Sequence, residues 1–286
     1  MMIELGISPA ATAAIGGLFG LLLGSFLNVV ILRLPMQLKS DWRRDSRDFL
    51  ELEPEIEEPV TIAKPASRCP GCKTPIKAHH NIPLLSYLFL RGRCKTCAEP
   101  ISFQYPLVEL LAGLLAAYFV YQYGLSSTAL YGLIFSYSLL VLTGIDLHEK
   151  LLPDQITLPL IWLGLFANLN GTFVSLNEAV IGAIAGYLSL WTVFWAFKLI
   201  TGKEGMGYGD FKLLAALGAW MGWQMLPMII LLSTATGAIV GIAGIIFVGR
   251  NKEMPMAFGP FLAAAGWMAF VWGEEILSGY LGLFNF

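Results

Sequence analysis

Charge is what this sequence has least of. Only 13% of its 286 residues are Asp, Glu, Lys or Arg, against 56% hydrophobic, and the mean hydropathy is +0.67. That balance excludes an ordinary soluble domain and requires apolar runs long enough to cross a membrane. Histidine is nearly absent: His79, His80 and His148 do not form a helical metal-binding pair. No serine sits in a nucleophile elbow. No repeat of fixed period appears, and the apolar segments differ too much to form an inverted-repeat transporter. The first apolar run has no basic stretch before it and is about 25 residues long, so it reads as a retained span rather than a removable signal.

What is present is distributed unevenly. The net charge of −2 says little, because 12 of the 18 Lys and Arg lie between Arg33 and Lys95. The fold class expected is an all-α polytopic membrane protein with a polar insert. A first helix (1–34) precedes the insert (35–104) and a seven-helix membrane domain (105–286). The eight spans fall at about 7–32, 106–123, 128–145, 155–173, 178–199, 210–223, 225–249 and 257–279. The first carries Gly16, Gly20 and Gly24, a stripe that lets a neighbouring helix pack closely, and the pairs Gly182/Gly186 and Gly237/Gly241 serve the same end. Asn28, near the end of that span, is read as an interhelical hydrogen bond or a substrate contact. The insert starts charged and irregular from Met36, passes through the acidic run Glu51 to Glu58, and becomes compact from Ser67. The acidic run is either a solvated linker or a surface for a basic substrate segment.

With the insert on the cytoplasmic side, every basic residue falls inside or at the inner end of a span. That places the N-terminus outside. It also brings Asp146 and Asp210 to one face, at the cytoplasmic ends of two different spans. Carboxylates in membrane segments are expensive. A hydrolytic pair needs one carboxylate to take a proton from water and one to polarise the carbonyl under attack, and close like charges cannot both ionise. The competing reading is helix capping. It suits Asp210 at a span start better than Asp146 at a span end, and Asp154 reads as a plain cap or turn residue. Glu109, early in the second span, is either a partner for the insert or a site residue. Four cysteines, Cys69, Cys72, Cys94 and Cys97, form two C-x2-C knuckles separated by 21 residues. They read as a closed four-thiolate zinc site, structural because no coordination position stays open. A redox role is the alternative.

These motifs together resemble the type IV prepilin leader peptidases, bifunctional peptidases and N-methyltransferases. The likeness rests on Gly24-Ser25-Phe26-Leu27-Asn28-Val29-Val30, the paired knuckles, Asn81-Ile82-Pro83-Leu84-Leu85-Ser86 and Arg91-Gly92-Arg93-Cys94. It also rests on Asp146 through Asp154, Gly207-Tyr208-Gly209-Asp210-Phe211-Lys212 and Phe258-Gly259-Pro260-Phe261. The resemblance implies that Asp146 and Asp210 are the catalytic aspartates. It implies cleavage of a short basic leader from prepilins or pseudopilins, after a glycine and usually before a phenylalanine. It implies methylation of the new amine with S-adenosylmethionine, in the bacterial inner membrane, for type IV pilus assembly or type II secretion. No soluble-methyltransferase fingerprint is present, so the methyl-donor site rests on resemblance. Gly92, between two arginines, is its candidate, and a simple turn is the other reading of that glycine. The expected partners are these substrates and membrane lipids, not nucleic acid. Oligomeric state is left open. A peptidase without methyltransferase activity and a non-enzymatic transporter or scaffold are the competing functions.

Overall fold

The computed structural model describes residues 8–53, 60–76, 82–249 and 256–283, and among them nine α-helices and no β-strand are found. Glu55, Glu57 and Glu58 of the acidic run, and His79, His80, Asn81, Arg250 and Lys252, lie outside the described residues. The chain divides into two compact units, Met1–Tyr137 and Ser138–Phe286. The expected division at 34 and 104 follows polarity, whereas compactness divides the chain within one helix.

In the first unit α1 (Pro9–Phe49) opens with Ser8 as N-cap and proline at its first position, both favourable at a helix start. Its glycine stripe lies on α3 (Gln104–Tyr123). A Cβ at Gly20 would sit 2.6 Å from Ala116 Cβ, and one at Gly24 would sit 2.6 Å from Glu109 Cα. Only glycine permits that approach. α1 does not stop where the apolar run stops: residues 36–49, expected as irregular, continue it through Pro35. Proline removes one backbone bond, but the segment beyond it is rich in helix formers and carries an Asp41–Arg44 pair at 2.9 Å. Such i,i+3 pairs stabilise a helix slightly, and Arg47 closes the end by donating to the Glu53 carbonyl at 2.8 Å. Polarity marks where water begins, not where a helix ends. A short α2 (Leu85–Phe89) precedes α3.

The second unit holds the last turns of α4 (Ser127–Glu149), then α5 (Asp154–Ala167), α6 (Leu176–Thr201), α7 (Tyr208–Met221), α8 (Leu226–Val248) and α9 (Gly259–Leu283). α7 is its centre: every residue from Asp210 to Met221 except Lys212 is buried. Gly182 of α6 meets Gly218 of α7 backbone to backbone, and a Cβ at Gly186 would lie 2.5 Å from the Leu214 carbonyl. The buried Asn168 donates to the Ala219 and Trp220 carbonyls at 3.0 and 3.2 Å and accepts from the Phe173 and Val174 amides. The indole of Trp220 donates to the Leu160 carbonyl at 2.9 Å. Gly237 and Gly241 differ from expectation: they face the side chains of Phe261 and Met256 at ordinary distances of 3.5 and 3.4 Å, so no close backbone approach requires them.

Each expected apolar run is centred on one helix, but the run 155–173 overshoots α5, which ends at Ala167 and passes into a 3-10 turn at Asn168–Asn170. Among the described residues, five helices are long and apolar enough to cross a membrane: Pro9–Phe49, Gln104–Tyr123, Ser127–Glu149, Leu176–Thr201 and Trp223–Phe247. At 14 residues each, α5 and α7 are about 21 Å long, short of the ~30 Å hydrocarbon layer.

Candidate active site and metal centre

Asp146 lies in the last turn of α4, and Asp210 is the third residue of α7. They are 5% and 7% exposed and close enough to interact electrostatically. The N-cap of α7 is Gly207, not Asp210, and the Asp210 carboxylate reaches back to the Gly207 backbone as the acidic member of a capping box does. Asp146 has no comparable helix-start role. Its carboxylate accepts from the Gly259 amide at 2.9 Å, in a buried hydrogen bond.

Leu152 is the wedge between these parts. A Cβ at Gly209 would lie 2.7 Å from Leu152 Cβ, and one at Gly259 would lie 2.7 Å from Asp146 Oδ2 and 3.0 Å from Leu152 Cδ2. The glycine before Asp210 and the glycine opening α9 are therefore spatial requirements of one cluster. In the sequence Phe258–Phe261 stands out only as part of the family resemblance. The local signal was a Gly-Pro pair at a helix start. Asp154, expected as a plain cap or turn residue, lies in the first turn of α5 and also binds Lys212 Nζ at 2.6 and 2.8 Å. That bond ties the start of α5 to the start of α7 beside Asp210.

The four cysteines of the first unit converge as expected. Their sulfurs all lie within 4.8 Å of one another, with Cys69 and Cys97 at 3.7 Å. Four sulfurs about 2.3 Å from a tetrahedral zinc stand about 3.8 Å apart, so the set fits that ion, and no cysteine is oxidised to a disulfide. The knuckles are two copies of one turn. Isolated bridges join Arg68 to Pro75 and Arg93 to Pro100, and Lys73 and Ala98 both take positive φ, 57° and 59°. Arg-Cys-x-x-Cys-x-x-Pro-Ile occurs at 68–76 and again at 93–101, a local repeat that a search for long periods passes over. The Thr74 hydroxyl and backbone pull the Cys72 thiol down to about 6, and the Cys97 and Thr96 backbones lower Cys94. The Glu99 backbone also favours the Cys97 thiolate, but desolvation and the other three thiols outweigh it and push Cys97 up to about 12.

Gly92 has φ of 67°, donates to the Tyr87 carbonyl at 2.9 Å and accepts from the Ile101 amide at 2.8 Å. A Cβ there would lie 3.0 Å from the Tyr87 hydroxyl. Its backbone thus serves the turn into the second knuckle, with exposed Arg91 and Arg93 on either side. Asn28 makes the interhelical bond expected of it, donating to the Tyr105 carbonyl at 3.1 Å. Glu109, 7% exposed, accepts from the Leu84 amide of the insert at 2.9 Å and from Ser25.

Comparison with known proteins agrees with these two halves. Residues 18–123 match the Bacterial Peptidase A24 N-terminal domain, and residues 133–242 match the Type IV leader peptidase family. The chain is 54% identical over 266 residues to the prepilin leader peptidase/N-methyltransferase of Aeromonas hydrophila, covering 92% of each chain. It is 50% identical to that of Stutzerimonas stutzeri, covering 96% of this chain and 95% of the relative. It is also 50% identical to that of Pseudomonas aeruginosa, covering 94% and 93%. No solved structure matches. With two buried, interacting aspartates and relatives that match the sequence nearly end to end, the chain belongs to the type IV leader peptidase family.

Proposed function

We propose that this protein removes the leader from prepilins or pseudopilins with Asp146 and Asp210 and then N-methylates the new N-terminal residue. The observation that carries the reading is the pair itself: two buried carboxylates from separate helices, close enough to interact electrostatically. One carboxylate takes a proton from the attacking water while the other, protonated, polarises the scissile carbonyl; the proton then passes to the departing amine. Gly259 orients Asp146 through its amide, and Leu152 keeps the α7 and α9 starts in register with it. The bacterial inner membrane is the proposed location, with the N-terminus outside and the aspartates near the cytoplasmic face. The even placement of all 18 basic residues on one side of the proposed eight spans supports that orientation.

The four thiolates would hold a zinc ion that acts structurally, since all four positions come from protein. S-adenosylmethionine is the methyl donor that the methyltransferase activity requires, and it supplies an electrophilic methyl group. Arg91 and Arg93, exposed on either side of Gly92, are the groups proposed to meet its carboxylate. Lipids surround the apolar helices, and the acidic run remains a proposed surface for the basic leader.

The test is an intact-mass assay of purified protein with a prepilin, with and without S-adenosylmethionine. Loss of the leader plus one methyl mass is the expected result. Loss of the leader alone would remove the methyltransferase half, and an unchanged mass from folded, zinc-loaded protein would overturn the reading.

A further inference from the structure

Glu109 is a buried carboxylate outside the aspartate pair, and two stretches that cleavage leaves unexplained converge on it. Ser25 comes from the Gly24–Val30 run, and Leu84 comes from the Ile82–Ser86 run. Asn28 lies one turn along α1 from Gly24, whose Cα carries no side chain because Glu109 Cα occupies that space. Asn28 in turn bonds Tyr105, one turn along α3 from Glu109. By backbone register Asn28 and Glu109 therefore stand about one helical turn, or ~5.4 Å, apart along the α1–α3 pair.

The cluster is rich in acceptors and poor in cations. The Asn28 amide nitrogen already donates to the Gly24 and Tyr105 carbonyls at 3.3 and 3.1 Å, which fixes its orientation. Its Oδ1 is fully buried with no donor, in a residue only 2% exposed. A buried polar atom without a partner is costly and calls for an explanation. Among the described residues, neither Lys nor Arg forms a salt bridge with Glu109. Its two donors, Ser25 and Leu84, are themselves only half-buried, so the carboxylate sits one layer below the surface. Leu84 holds a positive φ of 56°, a conformation that a branched side chain adopts at a cost and that concentrates at functional sites. From Leu84, the single short helix α2 leads to Tyr87 and the Gly92 turn.

We propose that Glu109, with Ser25 and Asn28, binds the primary ammonium group that peptide cleavage creates at the head of the mature substrate. This rests on the proposed function, because hydrolysis of any peptide bond frees an α-amine and N-methylation must then hold it. An ammonium offers three donors; the Glu109 carboxylate and Asn28 Oδ1 are two acceptors placed to receive them. Methylation needs the neutral amine. The ammonium N–H bond breaks, its proton passes to the Glu109 carboxylate, and the electron pair stays on nitrogen.

The test uses the full-length protein in detergent and two synthetic apolar peptides without a leader, one with a free N-terminal amine and one N-acetylated. A charge-assisted hydrogen bond corresponds to about tenfold or more in affinity, and wild-type protein is expected to favour the free amine by that factor. Glu109→Gln keeps an acceptor for the Leu84 amide while removing the charge. It is expected to erase the preference and abolish methylation, with leader cleavage retained. Unchanged preference, or wild-type methylation, in this variant would overturn the assignment. If Glu109→Gln also loses cleavage through misfolding, Ser25→Ala decides: a reduced preference supports the site, and an unaltered one overturns it. Wild-type protein that fails to cleave a prepilin would instead remove the underlying function, which keeps the two failures distinct.

Discussion

The second unit and the polar insert of the first hold their polar groups by opposite means. In the second unit the aspartates are carried by packed helices, and α7 buries all of its residues from Asp210 onward except Lys212. In the first, the described residues of the insert from 60 to 103 bury only Cys69 and Pro83. Apolar packing can place Asp146 and Asp210, because leucine and glycine contacts fix α4, α7 and α9 against one another. The insert has no such core, and its order comes from two repeated turns that present four sulfurs to one point. The difference teaches that packed helices can hold buried carboxylates, whereas the insert, which lacks such packing, is ordered by turns that bring four cysteines to the point where the proposed zinc would sit.

The largest expected effect is on the carboxylates. Asp146→Asn and Asp210→Asn each remove a proposed proton-transfer group and are expected to lower cleavage by about 10³-fold or more, with unchanged thermal unfolding. A single-turnover cleavage assay beside a melting curve checks both. Next comes the glycine that orients Asp146. Gly259→Ala puts a Cβ 2.7 Å from Oδ2, and a shift of about 1 Å at such a group costs on the order of 10²-fold. Steady-state kinetics should show that loss in kcat, with zinc content unaltered.

The first unit breaks by a different route. Cys69→Ser is expected to lose bound zinc, measured by atomic absorption, and to open 60–103 to limited proteolysis while the 138–286 half stays protected. Zinc affinity should also fall as pH falls, since protons compete for the thiolates. The Cys97 proton, held up to about 12, must be displaced at any working pH. Below about pH 6, Cys72 takes up a further proton, so the pH slope should steepen there. Zinc titration from pH 8 to 5 reads it. The smallest effect is expected at Lys212–Asp154, a partly exposed pair. Lys212→Met should change stability by less than about 1 kcal/mol by chemical denaturation, and a larger change would show that the pair helps hold the α7 start.

Sequence alone made much of this legible where the constraint is local. Four-residue glycine spacing disclosed that α1 packs closely on a neighbouring helix but not which one, and two C-x2-C knuckles disclosed the sulfur cluster. The apolar runs located the helices, and the charge at their ends located Asp146 and Asp210. The helical stretch 36–49 was missed because its polarity hid its helix-forming residues. Gly259 and Leu152 were not legible as site residues, since nothing local distinguishes a glycine that must clear a carboxylate from one that ends a loop. The Lys212–Asp154 bond was hidden for the same reason: it joins residues 58 apart in sequence.

One measurement tests the central claim most directly: prepilin cleavage by the wild type, Asp146→Asn and Asp210→Asn, with folding monitored on the same samples. The expected result is complete leader removal by the wild type and none by either folded variant. Wild-type cleavage by either single variant would contradict the carboxylate pair as the catalytic centre.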